Sequence, residues 1–81
     1  MDGDTFAYNG HSIRIAGMDA PELGAPGGSD AAQHLAALLQ TGRVTIMPQA
    51  RDVYGRTVAT VMLNGYNLAE RMIAEGYARK D

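Results

Sequence analysis

Asp4-Thr5-Phe6-Ala7-Tyr8-Asn9-Gly10-His11-Ser12-Ile13-Arg14-Ile15 is the stretch on which the fold turns. Asn9-Gly10 is the strongest short hairpin signal, because both residues tolerate positive φ. Before it, Thr5 to Tyr8 reads as a strand with Phe6 and Tyr8 on one face. After it, Ser12 to Ala16 returns with Ile13 and Ile15 on one face and Arg14 on the other. A two-residue connection makes the pair antiparallel. The hairpin therefore excludes a doubly wound parallel sheet, which needs a helix between each pair of strands.

Further along, Leu23 to Gly28 is a Gly/Pro-rich loop. Ser29 is placed to cap a helix, with Asp30 complementing its N-terminal dipole. Ala31, Leu35, Leu38 and Leu39 recur at helical spacing, and Gly42 is the expected stop. Val44 to Met47 reads as a strand closed by Pro48, and Gln49 to Gly55 as a polar loop. Thr57 to Leu63 is nearly continuous in apolar residues and reads as a buried strand. Asn64-Gly65 turns the chain, Asn67 caps a second helix with Glu70 three residues on, and Gly76 ends it. Leu68, Met72 and Ile73 form its inner face. The order strand, strand, helix, strand, strand, helix predicts an α+β fold, mainly β, with two helices packed on a small mixed barrel. Four short strands are one fewer than a five-stranded barrel uses.

The whole chain has 81 residues, enough for one domain. A hydrophobic fraction of 46% with 20% charged residues describes an ordinary globular chain rather than a disordered one. Without cysteine there is neither a disulfide nor a thiolate metal site. No apolar run approaches the ~20 residues of a membrane span. The net charge of −2 argues against a purely electrostatic nucleic-acid binder. It is compatible with a local cationic cleft, since acids that hold a metal enter the same sum. His11, beside the turn, and His34, on the first helix, have no partner at metal-ligand spacing. The methionines read as core filler.

Three acids and two arginines fall at strand ends and in loops. Asp4 opens the first strand, Asp19 and Glu22 bracket Ala20-Pro21, Arg14 projects from the second strand, and Arg56 precedes the strand after the Asp52 to Gly55 loop. Calcium takes several hard oxygen ligands, and two carboxylates with carbonyls and waters suit it. A metal beside a phosphodiester polarises its oxygens and orients water. Guanidinium groups stabilise the charge gathered in the transition state, and a further carboxylate orients or deprotonates the water. Singly, each of these residues is most often a solvated surface charge. Asp2-Gly3-Asp4 does not begin a calcium helix-loop-helix loop, because Phe6 and Ala7 occupy the places of a ligand and the obligatory glycine.

The ordered set is far more specific. Asp2-Gly3-Asp4-Thr5, Ile13-Arg14-Ile15, Asp19-Ala20-Pro21-Glu22 and Asp52-Val53-Tyr54-Gly55-Arg56 together resemble the staphylococcal nuclease (thermonuclease) family. Asn64-Gly65, Ala69 and Gly76-Tyr77-Ala78 continue the pattern over nearly the whole chain. The resemblance implies an OB-fold-like barrel with packed helices. It also implies calcium-dependent hydrolysis of phosphodiester bonds in DNA and RNA with little sequence preference. Asp4 and Asp19 would then be calcium carboxylates, with the backbone carbonyl of Ala20 a third ligand where the namesake enzyme has threonine. Glu22 resembles the general base, Arg14 and Arg56 the phosphate-binding pair, and Tyr54 a ring in the substrate cleft. Tyr54 reads equally well as a loop packer, and Asp52 as a support of the metal region or, better, as a cap of its own loop.

The family carries a strand before its Asp-Gly-Asp motif and a helix after its Gly-Tyr-Ala segment, and this sequence runs only from Met1 to Asp81. The expected domain is thus the family core over residues 1–81, without that strand, that helix or the aromatic residues that bind nucleotide beyond it. An open sheet edge predicts a homodimer or strand-swapped oligomer. The resemblance suggests a secreted or periplasmic protein, although no signal peptide is legible. The competing reading is a catalytically weak or silent module that binds nucleic acid or a protein partner.

Overall fold

The expected hairpin is present. In a computed structural model describing residues 2–81, β1 (Thr5–Tyr8) pairs antiparallel with β2 (His11–Ile15). Asn9 and Gly10 take φ of 50° and 81°, as the tight turn demands. Phe6, Ile13 and Ile15 point into the core while Arg14 points away from it.

A short strand, β3 (Met18–Asp19), and a loop lead to α1 (Gly28–Leu39). The helix begins before the expected cap. Gly27, at φ 84°, turns the chain and its carbonyl accepts the Ala31 amide, so Ser29 lies within the first turn and its hydroxyl accepts from Gln33 instead. Nor is Gly42 the stop. The helix closes at Gln40 and Thr41, whose amide and hydroxyl both donate to the Leu38 carbonyl.

The next strand, β4 (Val44–Arg51), runs past Pro48 rather than ending there. A proline lacks the amide a central strand needs, but β4 is a sheet edge with a register shift between Pro48 and Ala50, where that amide is dispensable. The expected polar loop shrinks to the turn around Asp52. On the return, β5 (Thr57–Leu63) buries Ala59, Val61 and Leu63 and leaves the alternate residues half-covered. Its apolar run therefore reflects a central position rather than burial on both faces.

After the Asn64-Gly65 turn, β6 (Tyr66–Asn67) leads into α2 (Leu68–Ala74). The Asn67 side chain accepts the Glu70 amide at 3.0 Å, the expected cap. At the other end Gly76 donates to Ile73 and Tyr77 to Met72, a left-handed close that redirects the chain into β7 (Arg79–Lys80).

The main sheet has five strands, ordered β1-β2-β5-β4 with β6 on β5, and β3 pairs separately with β7. The hairpins are antiparallel but β2 and β5 are parallel, so the sheet is mixed. It is an α+β fold of the small-barrel type, with both helices contributing to one core. Leu35 and Leu38 of α1 and Leu68 and Met72 of α2 pack with Ile15, Met18, Val61 and Leu63. Met18 and Met72 are core residues, whereas Met47 is exposed. Among the described residues no helix is long and apolar enough to cross a membrane.

Candidate active site

At the end where β1, β2 and β3 meet the N-terminus of α1, four carboxylates and two guanidinium groups share one small cavity. It measures about 170 Å³ and is lined by Asp2, Asp4, Arg14, Asp19, Ala20, Glu22 and Arg56. Residues from 2 to 56 in the chain meet there because parallel pairing of β2 with β5 sets Arg14 opposite Val58, and so brings Arg56 alongside. The hairpin register then sets Thr5 opposite Arg14.

Arg14 is the hub. One of its terminal nitrogens donates to the carbonyls of Ile15 and Met18, both at 3.1 Å. That nitrogen is 3.7 Å from Asp4 Oδ2, and the other is 3.6 Å from Asp19 Oδ1. Backbone carbonyls thus aim the fork between the two acids. Asp4 is buried; it accepts from the Thr5 hydroxyl at 3.1 Å and the Ala20 amide at 3.3 Å. The second bond ties the loop after β3 to the start of β1.

Arg56 is held from behind by Asp52. Its Nε donates to Asp52 Oδ2 at 2.6 Å and its amide to Oδ1 at 2.9 Å, while Nη1 reaches Thr5 Oγ1 at 3.5 Å. The Tyr54 amide also donates to Asp52. Burial pushes the Asp52 carboxyl up, but the Arg56 amide, the Arg56 guanidinium and the Tyr54 amide together outweigh it and hold the pKa below its ordinary value. Asp52 is the cap of its own loop, as the sequence suggested. Tyr54 is 80% exposed and lies under Arg56, with the guanidinium carbon 5.3 Å from the ring centroid. It packs on neither the core nor the acid cavity.

Glu22 is exposed at the cavity rim, and two glycines set the backbone there. A Cβ at Gly28 would overlap the Glu22 carbonyl and come within 3.1 Å of the Leu23 Cα, so the helix starts against the Glu22 backbone only because residue 28 has no side chain. A Cβ at Gly3 would lie 2.7 Å from that of Ala31 and 2.9 Å from that of Ala20. Gly28→Ala is therefore expected to displace Glu22. Overpacking of this kind costs about 1–3 kcal/mol, so thermal unfolding should show a Tm lower by roughly 4–24 °C. An unchanged Tm would mean that the loop yields freely.

The donor set is oxygen only. Among the described residues no three acidic or histidine side chains converge closely enough to hold a metal unaided. The cavity nonetheless holds two more acids than arginines, with the Ile15 and Met18 carbonyls beside Arg14. That composition fits a hard divalent cation that completes its shell with backbone oxygens and water, and not a soft transition metal.

Three residues in or beside the cavity carry no role assigned from the sequence. Asp2 faces the cavity, Thr5 links Asp4 to Arg56, and Arg79 reaches Asp19. Thr5 had a signal in its place beside Asp4. Arg79 had none, because its position depends on β7 pairing with β3 across 60 residues (79 against 19). Of the two histidines, His11 is exposed. His34 Nε2 donates to the Glu75 carboxylate at 2.8 Å and its ring stacks on Tyr77, outside the acid cavity.

Comparison with known proteins bears on the family of the chain. The family model described as "Staphylococcal nuclease homologue" matches residues 12–81. The SPbeta prophage-derived endonuclease YokF of Bacillus subtilis (strain 168) is 33% identical over 98% of this chain and 31% of its own length. Endonuclease YncB of the same organism is 33% identical over 98% of this chain and 44% of its own. The probable staphylococcal-like nuclease CAN1 of Oryza sativa subsp. japonica is 30% identical over 94% of this chain and 23% of its own. The chain thus spans less than half the length of these relatives. A match over residues 12–81, together with an acid and arginine set gathered in one cavity, makes this chain a member of the staphylococcal nuclease family.

Proposed function

We propose that the chain is a nuclease that hydrolyses phosphodiester bonds in DNA and RNA, with calcium held by Asp4, Asp19 and the Ala20 carbonyl. The observation that carries this reading is the convergence of Arg14 and Arg56 on the carboxylate cavity from separate strands. A bound calcium would polarise a phosphoryl oxygen and offset the negative charge there. Arg14 and Arg56 present forked donors to the phosphoryl oxygens, and their hydrogen bonds to carbonyls and to Asp52 hold them in place. Glu22, at the rim, orients or deprotonates the attacking water. Tyr54 offers an exposed ring to a sugar or base.

A cleavage assay on plasmid DNA and on RNA tests the proposal. Both substrates should be cut in calcium, and cutting should stop on addition of chelator. Steeply salt-dependent binding without calcium-stimulated cleavage would instead identify a binding module.

A further inference from the structure

We propose that Arg79 binds a backbone phosphate of the nucleic-acid strand next to the one being cut, forming a subsite with the shallow cavity beside it. The inference rests on the nuclease reading for its substrate, and on the β3–β7 pair for its geometry.

Antiparallel pairing sets Arg79 opposite Asp19. Strand alternation sends Arg79 to the face of Asp19 and Lys80 to the other face, where it lies near Ala16 and Gly17. Arg79 Nη2 is 3.9 Å from Asp19 Oδ2, on the carboxylate oxygen that Arg14 does not approach. Its side chain is 87% exposed, against 18% for Arg14 and 29% for Arg56. The two inner arginines spend donors on carbonyls and on Asp52. Arg79 makes one long, exposed ion pair, a kind worth only about 0–1 kcal/mol. It can therefore turn to a phosphate at little cost.

The neighbouring cavity supplies room for what is attached to that phosphate. It measures about 230 Å³ and is lined by Ala20, Pro21, Gly76, Tyr77, Ala78 and Arg79, so it adjoins the acid cavity through Ala20. Its wall is fixed: the Tyr77 amide donates to Met72 at 2.9 Å, and the ring stacks on His34 at 4.0 Å. A mainly apolar floor with one exposed guanidinium at its rim suits a sugar and base whose phosphate stays in solvent. A role confined to steering Asp19 would call for a short, shielded pair, which this is not.

The test is binding of a fluorescently labelled single-stranded oligonucleotide to the full chain in chelator, across a series of salt concentrations. Arg79→Gln should weaken binding roughly fivefold and flatten the slope of log affinity against log salt by about 0.7, one phosphate contact on a single strand. Arg79→Lys should retain the slope, since it keeps the charge, and Lys80→Gln should leave it as in the wild type. A wild-type slope in Arg79→Gln overturns the proposal. So does a variant whose only change is the calcium concentration needed for cleavage, which would mean that Arg79 acts through Asp19. Arg79-dependent binding in a chain that never cleaves would overturn the nuclease reading and leave the subsite standing. Cleavage with identical slopes would do the reverse, and no binding or cleavage at all would overturn both.

Discussion

Glu22→Gln should lower kcat on single-stranded DNA in calcium by about 10²–10⁴-fold, the range removed with a general base. The substitution keeps the size of the side chain and its ability to accept a hydrogen bond, but takes away the charge and the proton acceptor. Glu22 is exposed, and its backbone is held by the Ala25 amide and by contact with Gly28 rather than by its carboxylate. Thermal stability should therefore stay within about 0.5 kcal/mol of the wild type. Steady-state kinetics paired with thermal unfolding decide the matter. A variant with wild-type kcat would remove Glu22 from the chemistry, and one that lost activity only by unfolding would assign it a structural role.

Arg56→Ala is expected to cost about 10²–10³-fold in kcat, the usual effect of deleting one fixed donor from a developing oxyanion. Arg56→Lys should recover only part of that loss, because an ammonium lacks the planar fork. A second readout concerns Asp52. Its lowered pKa means that its contribution to folding is present above its unfolded pKa and lost as pH falls through the lowered, folded value. In Arg56→Ala the amides of residues 54 and 56 still reach the carboxylate, so the pKa should return only part of the way. The stability gap between wild type and variant should thus be widest near neutral pH and close under acid. A gap that widened in acid would contradict the arrangement of Asp52 and Arg56.

Ser29 and Gly42 fail as helix ends for one reason and Pro48 fails as a strand end for another. Ser29 and Gly42 carry local signals for helix ends, yet backbone geometry at Gly27 and the Thr41 hydroxyl placed the ends elsewhere. Pro48 signals a strand end because proline cannot serve a central strand, and nothing local shows that β4 is an edge. The turn at Asn9-Gly10 and the cap at Asn67, by contrast, hold for one shared reason. Asn9-Gly10 and the Asn67 cap act through bonds within a few residues, so their chemistry is visible in the string itself.

The site divides along the same line. Residue types and order in Asp4, Arg14, Asp19, Glu22 and Arg56 were enough to suggest an oxygen-ligated cation beside fixed guanidinium groups. So was the role of Asp52, which caps a turn of its own neighbours. Only tertiary structure decided that Arg14 sits between Asp4 and Asp19 on two carbonyls, and that Thr5 joins Asp4 to Arg56. The same holds for Gly28, which must be bare for Glu22 to approach the helix, and for Arg79, which reaches Asp19 from the far end of the chain. These are contacts between distant residues set by strand register. A register is fixed by the burial of whole faces, so it cannot be read from any one stretch of sequence.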